Sequence, residues 1–104
     1  MIVDISVGDV IKSTNDYEYV LHSLLNDIAI VASYSKECSA SHYEVWKIRS
    51  TPLSWRLKGS GLYRFPTTEE FGRYGWSFNC IESADKFTLL IASGISPLVA
   101  LQDL

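Results

Sequence analysis

Two cysteines in 104 residues cannot build the disulfide framework on which small secreted domains rely, so this fold must rest on a hydrophobic core. No apolar run approaches the ~20 residues that span a bilayer. The opening Met1-Ile2-Val3-Asp4-Ile5 lacks the basic start and long apolar centre of a signal peptide. A cytoplasmic protein with free thiols and no membrane association is expected. No internal repeat or low-complexity tract is present, and the chain begins with methionine and shows no tag or proline-rich linker, as expected of a complete small gene product.

Recognisable catalytic groupings are missing as well. His22, His42, Cys38 and Cys80 suffice in number for a tetrahedral zinc site, but Cys38-x-x-x-His42 is the one close pair, and structural zinc sites present paired ligands in knuckles. No metal and no cofactor are expected, and Cys80 reads as a small core residue. A Cys38 nucleophile with His42 as its base would need an orienting acid and an oxyanion hole, for which no motif is present. Glu69-Glu70 does not make a catalytic carboxylate pair, because adjacent helical residues point in different directions. Gly59-Ser60-Gly61 is followed by no lysine-serine or lysine-threonine at phosphate-loop spacing and reads as a turn. The chain is therefore not expected to be an enzyme.

What is present suits one globular domain over residues 1–104: 47% apolar residues, 20% charged, and a length too short for two independent cores. The net charge of -3 argues against a surface that grips phosphate everywhere. Its distribution is uneven. Residues 47–73 hold six basic side chains against Glu69 and Glu70, a net of +4, while residues 1–46 hold two basic against seven acidic, a net of -5. Such a molecule is either electrically two-sided or pairs its acidic early strands with its basic middle strands across a sheet.

Local signals give the elements. Gly8-Asp9 turns into an opening strand. Tyr17 to Leu25 and Ile28 to Tyr34 are β-rich runs joined by Asn26-Asp27, residues that tolerate the positive φ of a two-residue hairpin turn. Both faces of the second run are largely apolar, which predicts a central strand covered on both sides. In His42 to Ser50 the apolar face changes at Val45-Trp46, predicting a bulge there. Ser54 to Lys58 and Leu62 to Phe65 form a candidate basic hairpin. Thr67-x-x-Glu70 matches a capping box, Trp76 to Phe78 reads as a strand, and Ser83 is a candidate cap for a helix over Ala84 to Ala92 stopped by Gly94. Ser96-Pro97 starts a terminal helical segment. The expected fold class is α+β: a strongly bent antiparallel sheet or small SH3-like barrel with two short helices. Trp46 and Trp76 are expected in its core.

The fourteen residues from Phe65 to Phe78 concentrate five aromatic rings and two glycines around the helix-start signal. More widely, nine of the thirteen aromatics lie in the region that holds six of the nine basic residues. This interleaving suits core packing, a protein-binding hot spot, or base stacking. His42-Tyr43-Glu44-Val45-Trp46-Lys47-Ile48-Arg49, followed by Phe65-Pro66 and Glu70-Phe71-Gly72-Arg73-Tyr74-Gly75-Trp76, resembles a pattern in small bacteriophage proteins, where a YEVxKIR strand precedes an FPxxExFGxxGW segment and an alanine-led helix. The resemblance covers roughly residues 42–92. It brings no catalytic or binding residues with it, and implies a phage setting in which short acidic accessory proteins bind a host protein.

The expected function is that of a nonenzymatic phage accessory protein, in the host cytoplasm, that binds an acidic surface of a host protein and inhibits a defence or metabolic enzyme. Trp55, Arg56, Lys58, Tyr63 and Arg64 are the expected anchors, with Trp55 the tryptophan left exposed because it has few apolar neighbours in sequence. The alternative is a small nucleic-acid-binding module using the basic aromatic segment 46–73, although nucleic acid is not the favoured partner. The sequence sets no oligomeric state.

Overall fold

A computed structural model describes residues 5–37, 40–59 and 61–104. The signal-peptide reading of residues 1–4, the Cys38 end of the Cys38-x-x-x-His42 pair and the Ser60 tip of the 59–61 turn lie outside the described residues. The chain forms an α+β fold around a five-stranded antiparallel sheet, in the spatial order β1 (Val10–Ser13), β2 (Tyr17–Leu25), β3 (Ile28–Ser35), β4 (Ala40–Lys47) and β7 (Gly75–Phe78). Among the described residues β1 and β7 stay unpaired with each other, so the sheet is open and the barrel alternative does not form.

The β2–β3 hairpin turns at Asn26, whose φ of 57° is the positive value such a turn needs; Asp27 does not share it. Strand β3 lies in the middle of the sheet and is buried from Ile28 to Ser33, as its two apolar faces require. Its even-numbered isoleucines join one core and its odd-numbered Ala29 and Val31 join another, because successive strand residues point to opposite faces.

No register shift occurs at Val45-Trp46, where Ile30 faces Val45 and Ala29 faces Trp46. The predicted bulge is absent there because β4, like β3, is covered on both faces: Tyr43 and Val45 meet one core and Trp46 the other. The irregularities fall instead at Ile11 of β1, at His22 of β2 and between Ser33 and Tyr34 against β4. The extra residue at His22 lets Leu21 and Leu24, three apart, serve the same core.

The candidate hairpin over 54–65 is also corrected. Pro52, at φ -55°, accepts the Trp55 and Arg56 amides at 3.0 and 3.1 Å through its carbonyl, and the chain makes one helical turn, α1 (Leu53–Arg56). Amides used locally cannot form a ladder, so β6 (Tyr63–Arg64) pairs instead with β5 (Arg49–Ser50). The helix whose start Thr67-x-x-Glu70 signals is only a 3-10 turn, Thr68–Glu70. Glu70 nevertheless caps it as the sequence implies, its carboxylate accepting the Thr67 amide at 3.2 Å.

Two helices complete the fold. Helix α2 (Ile81–Ala92) starts two residues before the expected cap, with Cys80 at the N-cap and exposed, which corrects its reading as a core residue. Its Ala84 and Phe87 are buried against β3, β4 and β7, and the Phe87 ring lies 4.9 Å from Trp76 and 5.1 Å from Phe78. Gly94 ends the helix at φ 94°. Helix α3 (Pro97–Gln102) begins at Ser96, whose hydroxyl accepts the Val99 amide, and it buries Ala100 in the same core.

The FPxxExFGxxGW segment gains a physical meaning here. Pro66 is buried, Gly72 has φ 90°, and a Cβ placed on Gly75 would lie 2.9 Å from the Phe71 ring and 3.0 Å from Pro66. The glycine lets the loop close tightly enough for the Tyr74 carbonyl to accept the Lys47 amide at 2.8 Å and for β7 to dock on β4.

Candidate functional site

The predicted anchors separate into two groups. Trp55, on α1, is 48% exposed, and the Arg64 guanidinium stands 5.3 Å from its ring centre. Arg56 and Lys58 are exposed beside it on the same turn. Tyr63 is half-buried and, one residue from Arg64 along β6, faces an open cleft instead. The sequence reading missed Leu53, Leu57 and Leu62, which are 62%, 80% and 47% exposed. Three leucines and a tryptophan are thus exposed within ten residues, with the exposed Arg56 and Lys58 among them and Arg64 two residues beyond. The available signal was the Leu53–Leu57 spacing of four, which places both on one side of a helical turn.

Arg49 and Arg64 sit directly opposite each other in the β5–β6 pair, where like charges repel. They are held apart by different partners: Arg49 Nη2 donates to Glu70 at 2.6 Å and its guanidinium lies 3.9 Å from the Tyr74 ring centre, while that of Arg64 stands over Trp55. The Thr67 amide, and after it the Arg49 hydrogen bond, hold the Glu70 carboxyl below its ordinary pKa. Arg49 thus finds its acid inside the basic segment rather than on the acidic early strands. Beside it opens the cleft, of about 790 Å3, lined by Leu24, Asn26, Asp27, Ile48, Arg49, Ser50 and Tyr63.

A second grouping escaped the sequence reading altogether. Glu44 is buried at 6% exposure on the sheet face opposite α2. One carboxylate oxygen accepts the Trp46 indole N–H at 2.9 Å, and the other lies 2.6 Å from His42 Nε2. A buried carboxylate is costly unless it is hydrogen-bonded, and His-x-Glu-x-Trp supplies the partners because residues two apart in a strand share a face. Tyr19, Ser33 and His42 lie in one row across β2, β3 and β4 beside it. Burial, and after it the charge of Glu44, push the Tyr19 phenol above its ordinary pKa.

Among the described residues no group of three or more His, Cys, Asp and Glu side chains gathers to hold a metal ion. No helix among them is long and apolar enough to cross a membrane. Compared with known proteins, the chain matches no family model, no curated protein and no solved structure, so its function has to be read from these two groupings.

Proposed function

We propose that this is a nonenzymatic accessory protein that acts by docking onto another protein through the α1 face, and, following the phage resemblance, that its partner is a host protein in the host cytoplasm. The observation that carries the reading is the exposure of Leu53, Trp55, Leu57 and Leu62 beside Arg56, Lys58 and Arg64. Exposed apolar side chains in such a cluster favour burial against a partner, and tryptophan with arginine supplies much of the energy in typical hot spots. The exposed Arg56 and Lys58, with Arg64 over the Trp55 ring, favour an acidic partner surface and a salt-sensitive association. Inhibition of a defence or metabolic enzyme is the consequence we propose for such docking.

The arrangement of rings favours this reading over a nucleic-acid module. Of the aromatics in segment 46–73, Trp46 is buried, Phe65 packs on it with centroids 5.4 Å apart, and Tyr63 contributes to the same core, which leaves few ring faces to stack on successive bases. The test is a pulldown from bacterial lysate, with and without nuclease, using the wild type and the Trp55→Ala/Arg56→Glu double variant. Loss of a nuclease-resistant partner in the folded double variant is expected. Full retention of that partner, or capture only in the untreated lysate, would overturn the proposal.

A further inference from the structure

On the sheet face opposite α2, aromatic rings follow one another from the sheet edge inward: Tyr17 and Tyr19 at 6.4 Å between centroids, Tyr19 and Trp46 at 5.5 Å, Trp46 and Phe65 at 5.4 Å. Beside Trp46 in this row lies the buried Glu44, whose two oxygens engage Trp46 and His42. A cation already sits over the row. Lys12, opposite Tyr19 in the β1–β2 register, places its ammonium 5.6 Å from the Tyr19 ring centre and 5.9 Å from that of Trp46. Both distances lie within the range in which a ring quadrupole attracts a cation, and tryptophan is the best such ring.

A lysine on an edge strand ordinarily extends into water, where its strongly hydrated ammonium is most stable. Lys12 stays exposed yet lies over these rings, on the face where Glu44 is desolvated and its charge helps to raise the pKa of the Tyr19 phenol that the ammonium overlies. The hold on Lys12 is nevertheless weak. Among the described residues it makes ring contacts and no ion pair, and β1 is four residues long, with an irregularity at the neighbouring Ile11.

We propose that Lys12, Tyr19, Trp46 and Glu44 form an alkylammonium-binding site in which Lys12 is the resident occupant, and that it accepts the ammonium of a ligand once Lys12 swings out with the edge of the sheet. The ligand group is a cation on an aliphatic stem, either a lysine side chain of another protein or a quaternary methylammonium. Methylation favours the site because it strips the ammonium of hydrogen bonds to water while leaving its attraction to ring faces. The site is separate from the α1 face and does not depend on the docking proposed for it.

The test follows the Trp46 indole N–H resonance during titration with tetramethylammonium, then with N-acetyl-lysine methylamide and its Nζ-trimethyl form, in the wild type and in Lys12→Ala. Removing a competitor held in place by the chain raises the fraction of open sites, so Lys12→Ala is expected to bind tetramethylammonium roughly tenfold more tightly than the wild type. Adding Tyr19→Leu is expected to abolish that gain. The ranking of the two lysine amides separates the sources of the ligand: preference for the trimethyl form indicates a quaternary ammonium, and equal binding a plain lysine. If alanine at position 12 unfolds the edge strand, Lys12→Thr removes the ammonium while keeping a strand-favouring residue. An indole resonance that does not move in the folded position-12 variant, or equal affinity with and without Lys12, would overturn the proposal.

Discussion

The two faces of the sheet are built from the same strands and to different ends. Beneath α2, Ile28, Ile30, Val45, Trp76, Phe78 and Phe87 close an apolar core in which packing is the dominant interaction. On the opposite face Ala29, Val31 and Trp46 alternate with them along β3 and β4, but the neighbours of Trp46 include Glu44, Tyr19 and Lys12. The two buried tryptophans mark the contrast. The Trp46 indole N–H donates to Glu44, whereas that of Trp76 is buried with no hydrogen-bond partner among the described residues. A strand pair sealed by a helix on one side can carry a buried charge on the other, because the apolar face supplies the cohesion that desolvating the carboxylate consumes.

The largest expected effect is therefore common to both faces and the next one separates them. Trp46→Ala and Trp76→Ala should each destabilise the protein by about 3–5 kcal/mol in chemical denaturation, since each leaves a large cavity. Phenylalanine distinguishes them: Trp46→Phe also strands the Glu44 oxygen and should cost about 1–3 kcal/mol more than Trp76→Phe, which discards an unpaired donor. Equal losses in the two phenylalanine variants would mean that the Glu44 network contributes nothing to stability. Gly75→Ala should cost about 1–3 kcal/mol by forcing the Phe71 ring and Pro66 apart where β7 joins the sheet; a melting temperature equal to that of the wild type would show that the loop yields freely.

A smaller effect is confined to acid. Because the Glu70 pKa in the folded protein lies below its ordinary 4.5, its contribution to stability is complete above that value and is lost as pH falls through the lowered one. Glu70→Gln should flatten the acid limb of the stability curve, and an unchanged limb would show that the Thr67 cap and the Arg49 pair are energetically idle. The smallest effect is expected at the α1 face, where Trp55→Ala should alter stability by no more than about 0.5 kcal/mol. A loss as large as that of Trp46→Ala would make Trp55 a core residue and remove the basis of the docking face.

Features written in adjacent residues were legible from the sequence. Asn26-Asp27 gave the hairpin turn, Thr67-x-x-Glu70 the cap, Ser96-Pro97 the last helix and Gly94 the end of α2, since each depends on backbone chemistry within one turn. The two-sided burial of β3 was legible because apolar residues occupy both of its faces. The same logic failed for β4: a strand covered on both sides was read as one that changes sides, and a bulge was placed at Val45-Trp46 that the register does not contain. The 54–65 hairpin failed because Pro52 commits the next amides to a helical turn before any partner strand is available. At the candidate site Trp55 is exposed as expected, and Arg64 joins it across a loop. Lys12, Tyr19 and Glu44 were invisible as a group because three different strands bring them together, and strand pairing is not written in local spacing.

The proposed docking of α1 is tested most directly by the three tryptophan indole N–H resonances of the unmodified protein, recorded before and after saturation with the partner captured in the pulldown. The resonance of Trp55, exposed in the free protein, is expected to shift and gain protection from exchange, while that of Trp76, sealed beneath α2, keeps its position. A Trp55 resonance that neither shifts nor gains protection at saturation would contradict the assignment of this face.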